Sequence, residues 1–391
     1  MSIKGRGDDV HIHDKGSGHH RVDVVDKSGA PGVDPYKPVK LFGTENGATD
    51  PSAYTATFDA LHPVELGPYE YLLGNADTVR ESGLTQDFTD TDSTSWYLYA
   101  AGRKGKPKPT PSAEAGQLLA SGGYLQGLVE NQSLRQRLGD IRHFGLMDEG
   151  YTPWAKLVRA SFSNGGDDLP VADTDITGTQ FGLDRPVHSR TWKDGTEATV
   201  YAGLYGSYMT NKSTAGPSRV KGHYYGIGAY MSQDMGSDYF DLVARYGHNK
   251  ADIDSRTLGG DSVKADGVGQ DQLGLSAELG RRLRWQDGGL YRVPASRRGN
   301  GFFVEPQAQL SFTRHGNASF TTDKGLHGSI GHYNSLVGRS GLLLEYQNGR
   351  EDSALSVYGK VMYNREFAAN PQLVYNGTNT LENNYRGGYL T

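Results

Sequence analysis

The sequence predicts an all-β protein, with a transmembrane β-barrel making up its C-terminal part. Three observations point there. Of 391 residues, 54 are Gly and 24 are Tyr, with no Cys and no three-residue glycine period. Mean hydropathy is −0.61, far from the ~18 consecutive apolar residues of a membrane-spanning helix. From Trp154 onward, long segments alternate apolar and polar residues with a period of two, and a barrel has low average hydropathy because only every second residue faces lipid. The same composition removes other classes. Collagen fails on period, and the absence of Cys excludes a disulfide scaffold, thiol catalysis and a Cys-ligated metal. Forty basic against 45 acidic residues, a net charge of −5, leave no basic excess for phosphate backbones, so no nucleic-acid partner is expected.

Residues 1–9 (MSIKGRGDD) carry charge but no apolar run, so they do not read as a secretory signal. Up to residue 100, β-type runs at 10–13, 20–25, 39–42, 54–58, 70–73 and 96–100 are punctuated by Gly-containing turns at 14–18, 27–29 and 45–47. This reads as stacked short strands without a helix signal. Residues 102–111 (GRKGKPKPTP) are basic and Pro-rich and predict an extended, solvated linker at a domain boundary. Residues 112–142 predict the one helix, because Leu118, Leu119, Leu125, Leu128, Val129, Leu134, Leu138 and Ile141 recur mostly at three- and four-residue steps. Gly122, Gly123 and Gly127 weaken its first half, so the signal within 112–142 is strongest over about 126–142.

About ten β segments follow, at 152–164, 173–189, 197–211, 218–233, 238–254, 268–285, 302–321, 328–347, 353–368 and 372–391, several longer than the ~9–11 residues a tilted strand needs to cross a bilayer. Soluble strands are shorter, with a mode of about 5–6 residues. In 240–247, Phe240, Leu242, Ala244 and Tyr246 oppose Asp241, Val243, Arg245 and Gly247. In 272–280, Leu273, Leu275, Ala277 and Leu279 oppose Gln272, Gly274, Ser276, Glu278 and Gly280. Such strands predict a polar lumen and a lipid-facing exterior. Tyr205, Tyr208, Tyr224, Tyr225, Tyr230, Tyr239 and Tyr246 are expected at strand ends as aromatic girdles, and strand glycines on the inward face.

In combination these stretches resemble the C-terminal part of a pertactin-type (type V) autotransporter over almost the whole chain. Residues 134–142 (LRQRLGDIR) followed by 154–158 (WAKLV) are similar to the family's linker helix running into the first barrel strand. Residues 180–185 (QFGLDR), 303–310 (FVEPQAQL), 337–341 (VGRSG) and 358–360 through 365–367 resemble later strands. Upstream, 18–29, 67–73 and 96–98 resemble terminal coils of a passenger β-solenoid. The resemblance implies three parts: the end of a right-handed passenger β-solenoid over 1–100, a linker and lumen-threading α-helix over 101–142, and a translocator barrel over 143–391. Leu134, Arg137, Leu138, Gly139, Asp140 and Arg142 would be linker-helix residues, and Asp241, Arg245, Glu278, Glu305, Arg339 and Glu366 the lumen-facing set. The barrel would sit in the bacterial outer membrane with the N-terminal region at the cell surface, supporting secretion and display of its own passenger. Outer-membrane lipid, the barrel assembly machinery, the passenger and host or matrix surfaces are the implied partners, with no cofactor and no enzyme activity.

The chain departs from the family pattern in three ways. The family's barrels have about twelve strands ending on an aromatic residue, and this chain ends in 387–391 (GGYLT) after about ten, so a C-terminally incomplete barrel with two unpaired edges is expected. Neither a signal peptide nor the bulk of a passenger is read in these residues, so a fragment of a longer gene product or a disrupted open reading frame is expected. Gln132 and Ser133 stand where self-cleaving members carry an Asn pair, with Asn131 one step upstream, so release by side-chain attack is not expected. A surface adhesin and an inert fragment are the rival readings.

The remaining motifs are weak. Arg6-Gly7-Asp8 is a short chance-prone tripeptide. His11, His13, His19 and His20 have no third ligand fixed by spacing, and no Gly-x-Ser-x-Gly or His-Glu-x-x-His occurs. No catalytic, metal or cofactor residue is nominated.

Overall fold

The computed structural model describes residues 10–12, 16–24, 34–44, 54–85, 87–103, 105–131, 150–166, 169–193, 197–292, 300–350 and 353–391. The N-terminal part contains β1 (Val10–Ile12), β2 (His19–Val22), β3 (Val39–Thr44), β4 (Thr57–Ala60), β5 (Val64–Leu66), β6 (Tyr69–Asn75) and β7 (Trp96–Ala100). A five-stranded sheet runs β1-β3-β7-β6-β5, while β2 pairs with β4. The β1/β3 and β2/β4 pairs are parallel, and β3/β7, β7/β6 and β6/β5 are antiparallel. Leu41, Leu66, Leu98 and Tyr71 are fully buried beneath this sheet and form its core.

One element here runs against expectation. Residues Ala76–Glu81 form a helix, α1, where no helix was anticipated. Asn75 caps it, its Oδ1 accepting from Thr78 N at 2.9 Å, with Asp77 in the first turn favouring the positive end of the helix. The linker also differs. Gly102–Arg103 (β8) and Lys106–Pro107 (β9) pair as a hairpin, Lys108 N donates to Ala101 O at 2.6 Å, and Glu70 N donates to Lys108 O at 3.0 Å. The exposed Lys108 pairs with Glu70 of β6 at 2.6 Å while the backbone also finds partners on β6, so this segment is a folded seam and no free tether.

A second helix, α2, spans Pro111–Glu130, with Thr110 accepting from Ala113 N and Pro111 at the first helical position, where its missing N–H costs nothing. The helix expected over 112–142 is thus present over 112–130, including the Gly-containing half that propensity disfavoured, and residues 132–149 lie outside the described residues. Its glycines are contact points. A Cβ at Gly123 would press on the Gln270 side chain, and one at Gly116 would strike Phe320 and Tyr375.

The wall is built from β10 (Thr152–Gly166), β11 (Leu169–Thr191), β12 (Glu197–Ala215), β13 (Ser218–Met235), β14 (Asp238–Arg256), β15 (Ser262–Arg281), β16 (Leu283–Gln286), β17 (Gly289–Arg292) and β18 (Gly301–His315), followed by β19 (Ala318–Thr321), β20 (His327–Ile330), β21 (Tyr333–Arg350), β22 (Ser353–Glu366), β23 (Gln372–Tyr375), β24 (Asn379–Glu382) and β25 (Gly387–Leu390). The large sheet runs β10-β11-β12-β13-β14-β15-β18-β21-β22-β25, with the β16/β17 hairpin to one side. Every neighbouring pair on that path is antiparallel, and the sheet curls around α2. Among the described residues β10 does not pair with β25. Between these two edges lies a cleft of ≈ 370 Å³ lined by Val158, Phe162, Met362, Asn364 and Tyr389, with Leu128 of α2 behind it.

Four expected wall strands are broken, the first of them 268–285, which divides between β15 and the short β16 at Arg282. Residues 302–321 turn a corner after His315, residues 328–347 turn one before Tyr333, and 372–391 divides into three short strands. The pieces β19, β20, β23 and β24 form a separate four-stranded sheet in the order β19-β20-β23-β24. Alternation continues through the corners because both sheets are two-faced, so periodicity alone does not reveal the change of sheet. Phe320, Leu373 and Tyr375 of this small sheet pack in one core with α2.

Candidate functional site

The site is the lumen of the curled sheet and the helix seated in it. Side chains of β14 alternate strictly: Asp241, Val243, Arg245, Gly247 and Asn249 are enclosed, whereas Leu242, Ala244, Tyr246 and His248 are exposed. Exposed Leu273, Leu275 and Leu279 of β15, Leu310 and Phe312 of β18, and Leu342 and Leu344 of β21 continue the outer face. The outer face is an apolar belt. Carbons stay outside and charge inside because a charge on the lipid side would cost roughly 2–4 kcal/mol at the midplane.

All of α2 beyond Pro111 is buried except Glu114, and it has no preferred apolar side. A helix enclosed on every side is expected to look this way. Its last turn is held by guanidinium groups from two strands. Arg245 of β14 donates Nη2 to Gly127 O at 3.2 Å and Nε to Asn131 Oδ1 at 2.9 Å. Arg339 of β21 donates Nη2 to Leu128 O at 3.0 Å and Nη1 to Asn131 O at 2.8 Å. A helix end leaves its last carbonyls without intrahelical donors and carries partial negative charge, and both defects are answered here. Gln272 Nε2 adds a bond to Gly123 O at 2.9 Å. The Glu130 carboxylate, one residue before the cap, accepts from Gln180 Nε2 at 3.0 Å and Ser207 Oγ at 2.9 Å.

At the other end of α2, Tyr375 of the small sheet donates its hydroxyl to Ala113 O at 2.6 Å, and Asn383 Nδ2 donates to Gln117 O at 2.9 Å. Glu366 fixes that sheet to the wall. Its Oε1 accepts from the backbone N–H of Leu336, Ala368 and Ala369, each at 2.9 Å, and its Oε2 from Ser335 Oγ at 2.6 Å and Tyr124 Oη at 3.2 Å. This corner carries the chain from β22 into the sheet that covers the helix start.

The other nominated inward residues are placed as follows. Asp241 accepts from Ser232 Oγ, Glu278 from Tyr239 Oη at 2.7 Å, and Glu305 from Gln307 Nε2 at 2.6 Å, all three enclosed. Leu134, Arg137, Leu138, Gly139, Asp140 and Arg142, with Gln132 and Ser133, lie outside the described residues, as do Arg6-Gly7-Asp8 and the side chains of His11 and His13. His19 Nε2 lies 3.1 Å from Asp59 Oδ2, and His20 stacks on Phe58.

The tyrosines require a correction. Tyr208, Tyr225 and Tyr246 are exposed on the outer face, but Tyr205, Tyr224, Tyr230 and Tyr239 are buried in the lumen. Tyr205 shares strand parity with Ser207 and Asn211, so inward pointing was dictated by its neighbours. Tyr230 donates to Asp184 Oδ2 at 2.6 Å and receives Trp154 Nε1 at 2.8 Å. Glycines across the ladder make room for these rings: a Cβ at Gly228 would collide with Tyr205 and one at Gly203 with Tyr230. Sequence reasoning assigned no role to Glu130, Tyr124 and Tyr375, and placed Gln272 on a polar face and Asn131 beside the Asn-pair position without linking either to the seat of the helix. The strand parity of Gln272 and Tyr375 was readable, but the position of α2 was needed to give it meaning.

A curled antiparallel sheet with an apolar exterior, a polar interior and its own helix gripped inside defines the class of plugged membrane β-barrels. Residues 153–389 match the autotransporter β-domain family, and the chain belongs to it. It is 26% identical to the probable autotransporter YcgV of Escherichia coli K12, over 96% of this chain and 38% of that protein. It is 24% identical to the BrkA autotransporter of Bordetella pertussis, over 86% and 29%, and 25% identical to the serine protease SepA autotransporter of Shigella flexneri, over 94% and 24%. The chain thus spans 24–38% of the length of these relatives. The crystal structure of the BrkA β-domain aligns with a TM-score of 0.44 at 22% identity, covering 58% of this chain and 86% of that one. The protein is an outer-membrane translocator domain.

Proposed function

We propose that this chain supports export and surface display of a passenger joined to its N-terminal side, and that it performs no catalysis itself. The observation that carries this reading is the seating of α2: a helix linked directly to the N-terminal sheet is gripped at its C-terminal carbonyls by Arg245 and Arg339 of the wall. A passenger attached through that helix is held to the barrel by these hydrogen bonds as well as by the chain that continues from α2 into β10. The N-terminal sheet rests at the same end as the β14–β15 turn, where Glu65 Oε1 accepts from Leu258 N at 2.5 Å, which favours that end as the outward one. Its parallel pairs β1/β3 and β2/β4 are what the last coils of a β-solenoid provide, and the antiparallel β5, β6 and β7 close the stack. The partners this implies are outer-membrane lipid, the barrel assembly machinery and the passenger, with host or matrix surfaces reached through the passenger. Protease activity, which the serine protease SepA autotransporter carries in its name, belongs on this reading to passengers and not to β-domains.

The test is surface proteolysis of intact cells expressing the chain behind a tagged passenger. Removal of the tag by external protease, with heat-modifiable migration of the remainder in outer-membrane fractions, is the expected result. A tag protected until the cells are broken, with the remainder still in the membrane, overturns the orientation.

A further inference from the structure

Register places an unusual set of cations on the outer face, just beyond the aromatic row. Across β11 to β15, one outward row reads Phe181, Gly206, Ile227, Tyr246 and Leu273, and the next reads Thr179, Tyr208, Tyr225, His248 and Asp271. Toward the end that carries the N-terminal sheet, the following row holds His223 directly opposite Lys250, and the row after it holds Lys212 directly opposite Lys221. All four are exposed. Like charges directly across an antiparallel ladder destabilise it unless something neutralises them.

The neighbouring carboxylates offset part of this charge from across the ladder, but none closes an ion pair with these lysines among the described residues. Asp175 stands opposite Lys212 but accepts from Ser161 Oγ at 2.7 Å, and Asp252 stands opposite Lys221 but accepts from Gly267 N at 2.7 Å. Asp271 is engaged by Tyr246 Oη and His248 Nδ1, both at 2.8 Å. Among the described residues Lys212, Lys221 and Lys250 make no ion pair. Tyr208 Oη, 3.0 Å from His223 Nδ1, orients the imidazole at the edge of the cluster.

We propose that Lys212, Lys221, His223 and Lys250 bind the phosphate group of a membrane lipid whose acyl chains lie on the apolar wall below. The lipid is favoured over a free anion by continuity: the cations sit immediately beyond Tyr208 and Tyr225, at the level where a barrel's aromatic girdle meets headgroups, and exposed Ile227, Leu204 and Leu273 extend below them. A phosphomonoester offers several charged acceptors, enough to bridge both lysines of the facing pair and reach Lys250. The choice of leaflet rests on the orientation proposed above, whereas binding itself does not.

The experiment uses the full chain folded in detergent and titrated with phosphatidic acid, phosphatidylcholine or inorganic phosphate, read by native mass spectrometry and thermal shift. Phosphatidic acid is expected to bind and stabilise, and Lys221→Gln with Lys250→Gln to weaken it about thirtyfold, roughly fivefold per lysine. Lys264→Gln, outside the cluster, should leave binding unchanged. Heat-modifiable migration reports the fold of each variant, and Lys212→Gln alone replaces the double variant if that one misfolds. Equal affinity in the folded variants overturns the assignment. Inorganic phosphate binding as tightly as phosphatidic acid overturns the lipid part of it. Failure of the surface-proteolysis test moves the site to the other leaflet and leaves these results intact.

Discussion

The N-terminal sheet and the barrel wall use the same two-residue alternation with opposite polarity. In the sheet, Leu41, Leu66, Leu98 and Tyr71 point inward and Lys40, Glu65 and Glu70 lie between or beyond them. In the wall, Asp241, Arg245, Gln272 and Glu278 point inward and Leu242, Leu273 and Leu275 point out. The difference lies in the solvent. Water surrounds the first, so burying carbon stabilises it, whereas lipid surrounds the second, so carbon gains nothing by facing inward and every polar group must find a partner inside.

The largest effect that would sharpen this contrast is a cavity in the sheet. Leu98→Ala should cost about 2–5 kcal/mol of local stability, read by amide exchange across β3, β6 and β7, while exchange in the wall stays unchanged. Loss of protection in the wall as well would mean that the two regions fold as one unit. Next comes a charge on the outer belt. Leu275→Arg should cost about 2–4 kcal/mol when the protein is folded into vesicles, measured by denaturant titration, and a neutral result would place β15 outside the bilayer. Replacing an inner guanidinium tests the opposite rule. Arg339→Met should loosen the helix end by about 1.5–3 kcal/mol, seen as faster exchange at residues 124–131 with the belt undisturbed.

The smallest effect concerns pH. Burial pushes the Asp92 carboxyl up, but hydrogen bonds from the Thr94 hydroxyl and N–H and the Ser95 hydroxyl, with the charge of Lys40, together hold it below the usual carboxylate range. A carboxyl depressed on folding contributes stability above its unfolded pKa and loses it as pH falls through the folded value. Exchange in the 90–97 turn should therefore accelerate on acidification below the ordinary Asp range, and Asp92→Asn should flatten that response. An unchanged slope in the variant would assign the acid sensitivity elsewhere.

Much of this architecture was legible in the residues. Long alternation in 240–247 and 272–280 located wall strands and their inward faces, because a strand between two different solvents must sort its side chains by parity. Helix α2 was half legible: the spacing of Leu118, Leu119, Leu125 and Leu128 marked a helix, yet Gly122, Gly123 and Gly127 argued against its first half by propensity. Enclosure by the wall overrides that propensity, and the small residues become the places where wall side chains approach. The small sheet was hidden because Ala318 and Phe320 keep the rhythm of β18 across a corner. The buried tyrosines were misplaced because residue type was weighed above parity at Tyr205, Tyr224, Tyr230 and Tyr239.

The grip of Arg245 and Arg339 on the last turn of α2 also discriminates direction. Guanidinium groups attract the carbonyl end of a helix and repel the amide end, a difference of about 1 kcal/mol in favourable partly buried geometry. A segment entering the lumen the other way round would present N–H donors to two cations that have only donors to offer. The seat therefore accepts the chain in one polarity, and the barrel can tell head from tail by the sense of a backbone dipole, whatever side chains the segment carries.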